Sequence, residues 1–121
     1  MTVISTILVT LVALEFFYIM YIETIQTTSQ TTRSVFHLTA QDLENEKIQT
    51  LLKNQGIYNG LIGVLLLYGT YFSHHALEIN FLILGYIILV AAYGSLTSDK
   101  KIILTQGGLA ILALLSLLFH L

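Results

Sequence analysis

The chain has 121 residues, 55% hydrophobic and 10% charged, with a formal net charge of −2 and a mean hydropathy of +0.81. This composition excludes an ordinary soluble domain, and the length leaves no room for a separate soluble catalytic domain beside a set of membrane helices. The lack of cysteine excludes disulfides, thiol catalysis and Cys-ligated metals, five Lys plus Arg argue against nucleic-acid binding, and the lack of proline excludes proline kinks.

The first apolar segment runs over about residues 3–25. Its start carries no Lys or Arg, and Glu15 interrupts its middle. A cleaved signal peptide has a basic start and an unbroken apolar centre, so a retained membrane helix is expected. A polar connector follows, residues 26–53, rich at first in Thr and Gln. Within it, Thr39 and Asp42 have the spacing of an N-cap with an acidic third position. Leu43, Ile48, Leu51 and Leu52 then predict a short amphipathic surface helix, one that can run on into the second span. That span is expected over 51–72, Ser73-His74-His75 makes a tight turn, and a third span covers 77–96. Thr97-Ser98-Asp99-Lys100-Lys101 is a second connector, and a fourth span covers 102–121. Each segment meets the roughly 20 residues needed to cross a bilayer. The expected fold is therefore all-α, a four-transmembrane-helix bundle in one domain over 1–121.

All five basic residues, Arg33, Lys47, Lys53, Lys100 and Lys101, fall in the two connectors that four spans place on one side. The positive-inside rule puts those connectors in the cytoplasm and both termini outside, in a plasma-membrane protein. A faint repeat relates Asn54-Gln55-Gly56 to Thr105-Gln106-Gly107, as two parallel hairpins.

The second span opens on Asn54-Gln55-Gly56-Ile57-Tyr58-Asn59-Gly60. At about 100° per residue, Asn54, Gln55, Tyr58 and Asn59 fill one arc, and Gly56, Gly60 and Gly63 the adjoining one. The polar arc can form hydrogen bonds; the glycine arc admits a second helix at close range. Glu15, Tyr18, Glu23 and Gln26 share a broad face of the first span. Tyr86, Tyr93 and Thr97 form a stripe on the third, and Thr105 and Gln106 open the fourth. The inner halves of four helices thus hold polar groups at similar depth, the pattern of a cavity open to the cytoplasm. The plainer explanation is interfacial tyrosines and packing amides worth about 1 kcal/mol or less each. Glu15, near mid-membrane, is costly to ionise. It is expected to face the bundle interior and to bond Asn59. His74-His75 has no third ligand nearby in sequence, so no metal or other cofactor is expected.

These residues resemble a known family. Leu14-Glu15, Tyr18-Ile19-Met20-Tyr21-Ile22-Glu23, the Asn54–Gly60 motif and Gln106-Gly107 look like the domain of unknown function 1304 family. The resemblance covers most of the chain. It implies a small four-span integral membrane protein in which Glu15, Glu23, Gln55, Tyr58 and Asn59 matter, and it supplies no reaction. Where the family often has Pro after the last Gln-Gly, this chain has Gly108.

Three functions compete. The first is a small-molecule or proton-linked transporter or binding protein. Its ligand- or proton-binding residues would be Glu15, Tyr18, Glu23, Gln55, Tyr58, Asn59, Tyr93 and Gln106, and its ligand small and polar or cationic. Small multidrug resistance exporters, which act as dimers around a carboxylate, are the analogy. The second is a structural or regulatory subunit packing through Gly56 and Gly60 against another helix of this chain or a second copy. The third is an inner-leaflet enzyme on an amphipathic substrate, with Glu15 or Glu23 as acid/base, a role that no nucleophile–base pair supports.

Overall fold

The computed structural model describes every residue, Met1–Leu121. The fold is all-α, with no strand. It comprises α1 (Val3–Thr24), α2 (Gln30–Phe36), α3 (Glu46–Tyr71), α4 (Ala76–Thr97), α5 (Ile102–Thr105) and α6 (Gly108–Phe119), with one 3-10 turn at Asp42–Glu44.

Helices α1 and α4 match the predicted first and third segments within a residue or so at each end. By length and composition these two are apolar enough to cross a membrane. Helix α3 is longer, at 26 residues, but Glu46, Lys47, Lys53, Asn54 and Gln55 dilute its first half. The expected single helix over 102–121 is broken, and its main part, α6, has only 12 residues. The break falls at Gln106-Gly107. Glycine costs a helix interior about 1 kcal/mol relative to alanine, and Gly107 and Gly108 stand side by side. Gly107 is also a point of close approach. A Cβ there would lie 2.7 Å from the Ile103 carbonyl oxygen and 3.2 Å from Ala91 Cβ.

The connector is more ordered than its composition predicts. Thr39 and Asp42 do form a reciprocal cap: Thr39 N–H donates to Asp42 Oδ2 at 2.9 Å and Asp42 N–H to Thr39 Oγ1 at 3.0 Å. That cap starts only the 3-10 turn. Asn45 is extended, with ψ 116, and its Oδ1 accepts the Lys47 N–H at 2.9 Å, starting a new helix. Ile48, Leu51 and Leu52 therefore belong to α3 itself: the short helix expected there runs on into the second segment without a break. Helix α2 went unpredicted. Ser29 caps it by accepting the Thr32 N–H, and His37 ends it in the left-handed conformation at φ 56.

Two compact units make up the chain, residues 1–13 with 64–121, and residues 14–63. In the first, α4 packs on α5 and α6. Its core takes Asn80, Leu84, Ile87 and Ala91 from α4, at helical spacing, with Ala110, Ala113 and Leu117 from α6. Val9 and Leu66 are fully buried there too. The second unit buries Phe16, Ile22, Leu43 and Leu52. It also buries three polar side chains, those of Glu23, Thr27 and Thr32.

Candidate functional site

The site lies in the second unit, where the last two turns of α1 meet the first half of α3. Gly56 and Gly60 make the approach possible. A Cβ on Gly56 would lie 2.5 Å from Thr24 Cγ2, 3.1 Å from Glu23 Cβ and 3.3 Å from the Met20 carbonyl oxygen. One on Gly60 would collide with Met20 Sδ. The glycine arc therefore does pack a helix, and its occupant is α1 of the same chain. Gly63 is buried as well.

Against this arc sits Glu23, with 0% of its surface exposed. Gln55 Nε2 donates to its Oε2 at 2.7 Å, and Asn59 Nδ2 to its Oε1 at 2.6 Å. The two amides are four residues apart, one helical turn, so they reach one carboxyl from one face of α3. Short N–H···O contacts with both oxygens are the partner set of an acceptor-only carboxylate. Gln55 is itself exposed and Asn59 half-buried, so the amides line the way to the buried group.

The end of α1 is tied down by hydroxyls. Thr24 Oγ1 donates to the Met20 carbonyl at 2.5 Å and Thr27 Oγ1 to that of Glu23 at 2.6 Å. Thr32 Oγ1 reaches the Ile22 and Gln26 carbonyls at 2.8 and 2.6 Å. A helix end leaves its last carbonyls without intrahelical partners. Here Thr27 and Thr32 of the connector supply partners to the Glu23 and Ile22 carbonyls, and so fix the turn that carries Glu23.

The expected bond from Glu15 to Asn59 is not formed. Asn59 spends its amide on Glu23, and Glu15, half-buried, has no side-chain hydrogen bond. Glu23 lies at the level of Gly56, within reach of Asn59, whereas Glu15 is two turns deeper into α1.

Residues 10–118 match the family model described as "Protein of unknown function (DUF1304)". The chain belongs to this family. A protein of Lactococcus lactis subsp. lactis (strain IL1403), "Uncharacterized protein YpaA", is 65% identical over 119 residues, 98% of this chain and 100% of that protein. No solved structure matches. Neither description in this DUF1304 comparison carries an activity, so function has to be argued from the site.

Of the predicted site residues, the structure joins Glu23, Gln55 and Asn59. It does not bring Tyr18 or Tyr58 to them: these are 52% and 71% exposed and turn their rings outward. Tyr93, in the other unit, is 70% exposed, and Gln106 there is half-buried in the break between α5 and α6. No group of three or more His, Asp or Glu converges in a way that could hold a metal. Sequence reasoning missed Met20, Thr24, Thr27 and Thr32. A readable signal existed for two of them: Thr27 stands one turn after Glu23, and Ser29-x-x-Thr32 is a helix-start pattern. The first unit holds two cavities. One, of about 150 Å³, is lined by Thr2, Ser5, Ser116 and His120. The other, a groove of about 470 Å³, lies along His74, His75, Glu78 and Phe81.

Proposed function

We propose that the chain is an integral membrane protein that crosses the bilayer four times and binds a proton or a small cation at Glu23. The carrying observation is the fully buried carboxyl with an amide donor on each oxygen. The apolar character of α1 and α4 supports the membrane placement. So does the confinement of all Lys and Arg to residues 26–53 and 97–101, which by the positive-inside rule faces both connectors to the cytoplasm. Glu23, at the end of α1, then stands near the cytoplasmic face.

The chemistry follows from donors and acceptors. A bare carboxylate accepts from both amides. A proton on Oε2 turns that oxygen into a donor, and the Gln55 amide must then rotate to present Oε1 instead of Nε2. A cation at Oε2 likewise displaces Nε2. Proton and cation compete for the same oxygen, and either one moves Gln55, the exposed partner. Such competition is what a proton-linked binding protein or transporter requires.

A second reading is a structural clasp, in which the carboxyl only locks α1 to α3. The complete burial of Glu23 favours it. The two readings part under titration of the protein in lipid vesicles with sodium and with methylammonium ion. Under the first, cation binding releases protons, and Glu23→Gln abolishes both binding and release while circular dichroism stays helical. Undiminished binding in Glu23→Gln, or no binding by the wild type, overturns the site and leaves the clasp.

A further inference from the structure

We infer that the chain pairs with a second copy of itself through the outward face of α1, Glu15 of one copy hydrogen-bonding Glu15 of the other. The inference rests on the reading that α1 crosses the bilayer, and is independent of what Glu23 binds. Glu15 lies mid-helix, about 18 Å from one end of α1 and about 14 Å from the other at 1.5 Å per residue. It is half-buried and has no hydrogen-bond partner within its own chain. Beside it runs an exposed stripe of Leu14, Tyr18, Tyr21 and Ile25. Glu15 stands at the edge of that stripe, nearest Tyr18.

A carboxyl at that depth has no water and no headgroup to bond, and lipid tails offer neither donor nor acceptor. Something polar at the same depth must meet it. A second copy does so without further conditions. Two copies in one orientation carry Glu15 at the same depth, and a two-fold axis brings like against like. A protonated carboxyl holds a donor and an acceptor together, so two of them satisfy each other. The other place the sequence offers a second copy, the Gly56/Gly60 groove, is already filled by Met20.

The chain has no cysteine, so Tyr18→Cys introduces the only thiol. On oxidation in membranes it should give a disulfide-linked dimer. Leu61→Cys, equally outward but on α3, should not. In lipid vesicles carrying donor- and acceptor-labelled protein, Glu15→Leu should weaken self-association at least tenfold. Glu15→Gln should keep it, because an amide also donates and accepts. A Tyr18→Cys protein that stays in carbonate-washed membranes but never cross-links overturns the pairing alone. So does capture of Tyr18→Cys by a different membrane protein. Release by the carbonate wash overturns the membrane reading and the pairing with it. A folded Glu15→Leu that associates as strongly as wild type also refutes it.

Discussion

The two units bury polar groups by different chemistry. In residues 14–63 the buried polar centre is a carboxyl, and each of its oxygens is met by an amide at 2.7 Å or less. In residues 1–13 with 64–121 the buried polar groups are neutral. Ser5 and Ser116 share a hydrogen bond of 2.7 Å. Asn80 donates to Thr70 Oγ1 and to Met1 Sδ, while its Oδ1, also buried, has no partner. A neutral group left unpaired costs about 1–3 kcal/mol. An ionised carboxyl left unpaired costs far more, and would give up its charge instead. At Glu23, the one carboxyl in the chain that is completely buried, both oxygens are satisfied, whereas Asn80 Oδ1 in the first unit and Arg33 Nε in the second are buried without a partner. The first unit uses polar groups to hold small-residue packing together. The second arranges them around one group that can change its protonation state.

Removing the carboxyl should give the largest effect. Glu23→Leu leaves the Asn59 donor half-buried without an acceptor, while exposed Gln55 turns to solvent. The expected loss is about 2–3 kcal/mol, read as a lower midpoint of thermal unfolding. Asn59→Leu alone strips one donor from a buried carboxyl and should cost a similar amount. The double variant Glu23→Leu/Asn59→Leu should cost less than the sum, by about 1–2 kcal/mol, because neither partner is left behind. Additive losses would dissolve the contrast between the units, since Glu23 would then behave like any packing group.

The glycines sharpen the same comparison, because the clasp forms only if α1 and α3 stay close. Both stand against Met20, but against different atoms. A Cβ at Gly56 meets first the Thr24 methyl, which the Thr24 hydroxyl bond to the Met20 carbonyl holds in place, and then Glu23 Cβ and the Met20 carbonyl oxygen; a Cβ at Gly60 meets the flexible end of the Met20 side chain. Gly56→Ala should therefore cost about 1–3 kcal/mol by overpacking. Gly60→Ala should cost less, since a thioether can swing away. Thermal unfolding of the two variants decides it, and an equal or reversed order would mean that the α1 backbone yields as readily as a methionine tip.

Much of this was legible in the sequence. The apolar runs gave α1 and α4, the turn at His74-His75, and the Thr39–Asp42 cap. The glycine arc is read as admitting a helix, and Gly56 does stand against Glu23 of α1. The mistaken step concerns the polar arc. Asn59 was assigned to Glu15, the costlier carboxyl, although Glu23 was nearer and has an oxygen for each of two amides one turn apart. Cost alone does not create reach. The last helix is expected as one span because Thr105-Gln106 reads as a single polar turn in an otherwise apolar run, whereas Gly107-Gly108 directly after it breaks the helix in backbone preference. Helix α2 was hidden for the opposite reason. Its residues are polar and β-branched, and it is held by its Ser29 cap and the Thr32 hydroxyl more than by an apolar face.

The smallest expected effect belongs to the hydroxyls of the first unit. Thr2 Oγ1 donates to Ser5 Oγ at 3.0 Å, so the Ser5 proton is free to go to Ser116 Oγ, and the three hydroxyls form a short chain. Ser116→Ala removes the terminal acceptor. The Ser5 hydroxyl loses one bond but can still accept from Thr2, so it is never wholly unpaired. The expected cost is about 0.5–1 kcal/mol, the range of a single bond between helices. Ser5→Ala should cost a little more, since it breaks the chain in its middle. The double variant should lie within about 0.5 kcal/mol of Ser5→Ala alone, because the bond between the two serines can be lost only once. Thermal unfolding of the three variants measures this. A loss from Ser116→Ala as large as that from Glu23→Leu would show that the neutral network matters as much to the fold as the carboxyl clasp, and the distinction between a packing unit and a site-bearing unit would go with it.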